Sequence, residues 1–114
     1  MNVGGSTLDY LASALRGLDA QRQAHEHNIA NIETPGFRAR RVSFEDSLKR
    51  AIKDGNSSGV SYTTTLSNLS TRWDGNNVRI DDEMTALEEN ALKQQLVTRA
   101  VNDQFGLTRA ALGR

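Results

Sequence analysis

Cysteine is absent from this 114-residue chain, which excludes disulfides and thiolate chemistry and suits either a reducing cytoplasm or an exported protein without covalent staples. Net charge is absent too. Fourteen basic residues balance fourteen acidic ones, so no global field exists to hold a nucleic acid backbone or an anionic membrane. Aromatic residues are scarce, at 5%. No hydrophobic run approaches the roughly 20 residues of a membrane span, and the opening MNVGGSTLDY has neither the basic stretch nor the apolar core of a cleavable secretion signal. Conventional signal-peptide secretion is not expected. Proline occurs once, so a single position carries that residue's power to stop a helix.

That position is Pro35, within NIANIETPGFRAR at residues 28 to 40. Proline pushes the preceding Thr34 out of the α region, so a helix arriving from the N-terminal side must end near Glu33. Pro35 and Gly36 then suit the two central positions of a type II turn, the glycine supplying positive φ. Asn28 and Asn31 lie three apart on one helix face. Asparagine is a middling helix former, so the two amides are placed either to finish the helix or to recognise something.

The helix leading into this turn has a heptad pattern. Leu8, Leu11, Leu15, Leu18, Arg22, His25, Ile29 and Ile32 alternate spacings of three and four, as in a coiled-coil seam. Ser6 to Asp9 reads as the capping box that starts it, which predicts about 26 residues. A second long helix is predicted at the other end of the chain, with Ile80, Met84, Leu87, Ala91, Gln94, Thr98, Val101, Phe105, Thr108 and Leu112 in the same alternation. Leu92, Leu96 and Val97 widen its apolar face. Asp81, Asp82 and Glu83 stand where the helix dipole favours negative charge, and Arg109 and Arg114 stand at the opposite end.

Between these helices, Ser43-Phe44-Glu45-Asp46 suggests another capping box, with Phe44, Leu48 and Ile52 as the stripe of a helix of about ten residues. Residues 54 to 77 are dense in Gly, Ser, Thr and Asn, and only Tyr62, Thr64 and Leu66 hint at a strand. The expected fold is therefore mainly α. Two long terminal helices pair as a coiled coil, with a short amphipathic helix and a loop-rich, weakly β centre. The segments run 1–34, 35–80 and 81–114, the first and last forming one assembly domain.

Two such helices bury only one seam each, so the remaining burial is expected from other subunits. A second stripe of small residues, Ser13, Gly17, Ala20 and Ala24, lies on the first helix roughly 150° from the leucine seam, at about 100° per residue. Mid-helix glycine costs about 1 kcal/mol relative to alanine, so something must compensate Gly17. The expectation is that this stripe abuts a helix of an adjacent subunit while the leucine seam meets the chain's own C-terminal helix.

Chemical signals are weak. His25 and His27, two apart on a helix, point to different faces and cannot chelate one metal. DGNNVRIDDE from Asp74 fails as a calcium loop, with Arg79 at the glycine position and Thr85 at the final glutamate position, and reads better as a tight turn. Arg38, Arg40 and Arg41 form a small basic run whose ordinary partners are carboxylates. No nucleophilic triad and no phosphate-binding loop is present. No enzyme activity, cofactor or metal is expected.

Asn28-Ile29-Ala30-Asn31-Ile32-Glu33-Thr34-Pro35-Gly36-Phe37 resembles the N-terminal motif of the bacterial flagellar axial proteins, the family of rod, hook and junction subunits. Asp74-Gly75-Asn76-Asn77-Val78, Glu83-Met84 and Leu87-x-x-Asn90 are similar to its proximal rod members, with Gln94 where those commonly carry tyrosine. The resemblance implies type III export from the cytoplasm to the basal body and assembly through the terminal helices into a tube that carries torque and encloses the export channel. It implies contacts with further copies, other rod proteins, the membrane-ring junction protein and export-gate proteins at the rod base, without a membrane span or nucleic acid. It also implies that Asn28, Asn31, Thr34, Pro35, Gly36 and Phe37 act in assembly, the two amides bonding a subunit above or below. The competing expectation is a cytoplasmic coiled-coil adaptor or export chaperone.

Overall fold

Local capping decides where the first helix begins and ends. The computed structural model describes residues 6–113; Arg114, expected at the second helix's C-terminal end, lies outside them. Helix α1, Thr7–Ala30, opens on the expected capping box: the Ser6 hydroxyl accepts from the Asp9 N–H at 3.2 Å, and the Asp9 carboxylate accepts from the Ser6 N–H at 2.9 Å. It ends at Ala30, short of Glu33, because the Asn31 amide folds back and donates to the His27 carbonyl at 2.9 Å. The proline turn follows as expected, with Phe37 N–H bonded to the Thr34 carbonyl at 3.2 Å and Gly36 at φ 76°.

Strand β1, Arg40–Ser43, comes next and pairs antiparallel with β2, Thr63–Leu66, setting Arg40 opposite Leu66 and Ser43 opposite Thr63. The hint at Tyr62, Thr64 and Leu66 is thus a real strand at Thr64 and Leu66, with Tyr62 just before it. Its partner β1 was not expected, since Arg-Arg-Val-Ser shows no alternation of apolar and polar residues.

Helix α2, Glu45–Asp54, has the predicted ten residues but not the predicted start or face. Ser43 belongs to β1, and Phe44 takes the cap position with its N–H bonded to the Glu45 carboxylate at 3.3 Å. The buried face is Phe44, Ser47 and Ala51, with Leu48 half-buried and Ile52 exposed. Small residues let α2 sit close: the Tyr10 hydroxyl donates to the Ala51 carbonyl at 3.3 Å, and the Ser47 hydroxyl accepts from the Ser61 N–H at 2.7 Å.

Helix α3, Ile80–Ala111, is the longest element, at 32 residues and about 48 Å. It runs antiparallel to α1 and packs along it. Asn90 donates to the Leu18 carbonyl at 2.8 Å, and seven residues back along α3 but seven forward along α1, Glu83 meets His25 at 2.7 Å. The inward positions of α3 include Glu83, Ala86, Leu87, Asn90, Gln94, Val97, Ala100, Val101 and Gln104. This corrects the expected seam, which shares only Leu87, Gln94 and Val101 with it; Met84 and Phe105 are each 49% exposed. Polar side chains with fixed partners set the rotation of the helix, and apolar periodicity alone could not reveal them. On α1 the seam residue Leu18 is buried, while Leu8, Leu11, Leu15, Ile29 and Ile32 are half-buried.

The opposite face of α1 is filled by the chain itself. Ser13 and Gly17 are buried, and a Cβ on Gly17 would lie 2.5 Å from the Phe44 ring. Tyr62 stacks obliquely on Phe44 at 5.9 Å and donates its hydroxyl to the Ser13 carbonyl at 2.9 Å. Ala20 and Ala24 border a cleft shared with Val42 and Thr64. The expectation that this stripe waits for an adjacent subunit is therefore corrected. α1 is clamped from both sides, by α3 and by α2 with the sheet, all within one chain. Among the described residues no helix is long and apolar enough to cross a membrane.

Candidate functional site: two asparagine motifs in one knot

The two stretches that carry the family resemblance meet in space, at the end of the molecule where α1 finishes and α3 begins. Their backbones interlock, with Gly36 N–H donating to the Asp74 carbonyl at 2.8 Å and Asn77 N–H to the Phe37 carbonyl at 3.2 Å. Gly75, at φ 84°, approaches so closely that an added Cβ would stand 3.2 Å from the Gly36 Cα. Both glycines hold a left-handed backbone that costs other residues about 1 kcal/mol or more.

Buried amides tie the knot together. Asn28 is fully buried and treats β1 as a strand partner would: its Oδ1 accepts from the Arg40 N–H at 2.8 Å while its Nδ2 donates to the Arg40 carbonyl at 2.9 Å. The same Nδ2 reaches the Glu83 carboxylate at 3.1 Å, whose Oε1 also meets His25 Nδ1. One side chain thus joins α1, β1 and α3. Asn76 donates to the carbonyls of Asn31 and Thr34, each at 2.9 Å, and accepts from the Val78 N–H at 2.7 Å. Asn77 closes the sheet by accepting from the Ala39 N–H at 2.6 Å and donating to the Ser67 and Leu69 carbonyls. Among the described residues no buried side-chain nitrogen or oxygen lacks a partner. Fully satisfied buried networks of this kind favour one geometry, because every alternative leaves a desolvated group unpaired.

The expected assembly residues therefore come together, in roles that differ from those expected. Asn28 and Asn31 do not offer their amides to a subunit above or below: Asn28 is spent on Arg40 and Glu83, and Asn31 on the His27 carbonyl and the Thr34 hydroxyl. Thr34, Pro35 and Gly36 are exposed at the turn, and Phe37 packs edge-on against His27 at 5.5 Å. Arg38 donates to the Ser67 carbonyl and not to a carboxylate. Asp74 caps the second motif, accepting from the Asn76 N–H at 3.1 Å and pairing with Arg72 at 3.3 Å. Those contacts, Arg72 first, hold its carboxyl below the ordinary value of 3.8. Glu83, Asn76, Asn77 and Asn90 were not singled out as site residues. For Asn90 the signal was the one that flagged Asn28, an amide inside a helix that disfavours it.

The chain is 31% identical to the flagellar basal body rod protein FlgB of Bacillus subtilis, across 98% of this chain and 97% of the relative. The chain belongs to the FlgB family of flagellar basal body rod proteins. It is also 33% identical to the FlgB protein of Salmonella typhimurium, over 86% of this chain and 91% of the relative, and 36% identical to that of Yersinia ruckeri, over 77% and 85%. No family model matches the chain. Membership in the FlgB family makes this a structural protein of the flagellar basal body, and the span of the alignment covers both long helices and the knot between them.

Proposed function

We propose that the chain is a proximal rod subunit that polymerises through its terminal helices, with copies of itself and other rod proteins, into a helical tube that transmits motor torque and encloses the export channel. The subunit reaches the rod by type III export, and at the rod base it meets the membrane-ring junction protein and export-gate proteins. The observation that carries this reading is the apolar surface left on α3. Met84, Leu92, Leu96, Phe105 and Leu107 are all exposed along α3, with Leu112 exposed just past its end. Following the α1 to α3 register, Ser6 falls opposite Asn102, so the end of α3 runs on past the described start of α1. Trp73, the chain's one tryptophan, adds a second exposed apolar element at the knot, at 96% exposure.

The knot's role in this reading is mechanical. A torque-carrying subunit needs its two helices held at a fixed angle, and a saturated amide network resists shear better than a greasy contact that can slide. The test replaces Leu92 and Leu96 together by glutamate. The isolated protein should keep its unfolding midpoint, because both side chains face solvent, while basal bodies purified from a strain carrying the variant should lack the subunit and the cells should not swim. Wild-type protein missing from purified basal bodies would overturn the rod reading, and normal incorporation of the double variant would remove α3's outer face from the assembly.

A further inference from the structure

The β1–β2 sheet has one edge closed and one open. Ser67 N–H bonds to the Ala39 carbonyl, so residues 39, 41 and 43 face β2, and Arg40 and Val42 face away from it. That outward edge of β1 is sealed by α1: Asn28 takes both backbone groups of Arg40, and the Gln21 amide donates to the Val42 carbonyl at 3.0 Å. On β2 the same alternation points the N–H and carbonyl of Thr64 and Leu66 outward, and every residue of that strand is exposed. Natural edge strands are guarded by charge, proline or a bulge. Here none of these is present: residues 55 to 71 contain no charged side chain and no proline, in a chain that is 25% charged.

We propose that the open edge of β2 pairs with β2 of a second copy of this chain, antiparallel about a twofold axis at Thr65, giving a four-stranded sheet. The occupant follows from what a second copy can offer. Its β1 edge is already taken by Asn28 and Gln21, so β2 is the ordered strand edge left to it. The register follows from the free groups. Setting Thr64 against Leu66 of the partner copy forms two hydrogen-bonded pairs, and all four outward N–H and carbonyl groups of the strand are then used. A shift to Thr64 against Thr64 would set Leu66 against Tyr62, whose backbone lies outside the ordered strand. No like charges oppose each other in the pair, and Leu66, 56% exposed in the single chain, gains the methyl group of the facing Thr64. The proposal does not depend on the rod reading, because it concerns the soluble subunit.

Thr65 would stand opposite itself in a non-hydrogen-bonded pair, the spacing of about 4.5 Å between Cα atoms at which a disulfide can close. The chain has no cysteine of its own, so single-cysteine variants read the geometry directly. Thr65→Cys should cross-link to a covalent dimer under mild oxidation at least tenfold faster than Thr63→Cys, which lies on the same face two positions off the axis. Leu66→Lys, added to Thr65→Cys, should abolish that difference while leaving the circular dichroism of the monomer unchanged. Sedimentation of wild type should show a concentration-dependent dimer, lost in Leu66→Lys. Equal cross-linking rates for the two cysteines, or a wild-type chain that stays monomeric across the same concentrations, would overturn the pairing.

Discussion

Asn28 shows how much one residue decides in this fold. Removing its amide in Asn28→Ala leaves both part-buried backbone groups of Arg40 without their side-chain partner and takes a donor from Glu83. At about 1 to 3 kcal/mol for a buried unsatisfied group, the expected loss is about 2 to 4 kcal/mol in denaturant unfolding, with the helix itself unharmed. A loss below about 0.5 kcal/mol would show that water replaces the amide. Asp74 gives a pH dependence at the same scale. Arg72 and the Asn76 N–H lower its folded pKa below 3.8, so the stability it contributes is complete above that value and is lost as pH falls through the lower folded one. Wild type should therefore lose more stability than Asp74→Asn between pH 5 and pH 2, and the two should run parallel from pH 5 to 8.

At the scale of elements, the contact between α1 and α2 is set by a hole and a ring. Gly17 supplies the hole and Phe44 the ring, with no room for a Cβ between them. Gly17→Ala raises helix propensity by about 1 kcal/mol, yet it must displace Phe44, and overpacking costs about 1 to 3 kcal/mol. The net effect on the isolated protein should be destabilising or near zero in thermal unfolding, and Phe44→Leu should convert it to a gain. A Gly17→Ala protein more stable than wild type with Phe44 intact would show that the ring moves at no cost. The small-residue stripe was legible in the sequence because glycine inside a helix demands a reason. Its occupant was not legible, since Phe44 lies 27 positions away and nothing in spacing distinguishes a ring on the same chain from a helix on another.

Taken whole, the molecule is a rod of 63 × 26 × 14 Å with a firm end and a bare one. The knot, β1 and the start of α3 are joined by long-range hydrogen bonds, whereas the last turns of α3 carry exposed apolar residues and mostly local bonds. Amide exchange in the isolated subunit should reflect this gradient, with slow exchange over residues 80 to 97 and fast exchange over residues 103 to 111. Uniform protection along α3 would mean that the free subunit already covers its apolar end.

The sequence by itself determined the two long helices, the capping box at Ser6, the Pro35–Gly36 turn and the family resemblance, because each of these depends on residues within a few positions of one another. Helix periodicity, capping boxes and proline sterics are local, and so is a ten-residue motif. Tertiary structure alone decided the rotation of α3, the pairing of β1 with β2 and the destination of every buried amide. A hydrogen bond from Asn28 to Arg40, or from Asn90 to the Leu18 carbonyl, leaves no periodic trace in the chain. Asparagine presents the same two donors and one acceptor to a subunit above as to a strand of its own chain, and only the position of that strand settles which one receives them.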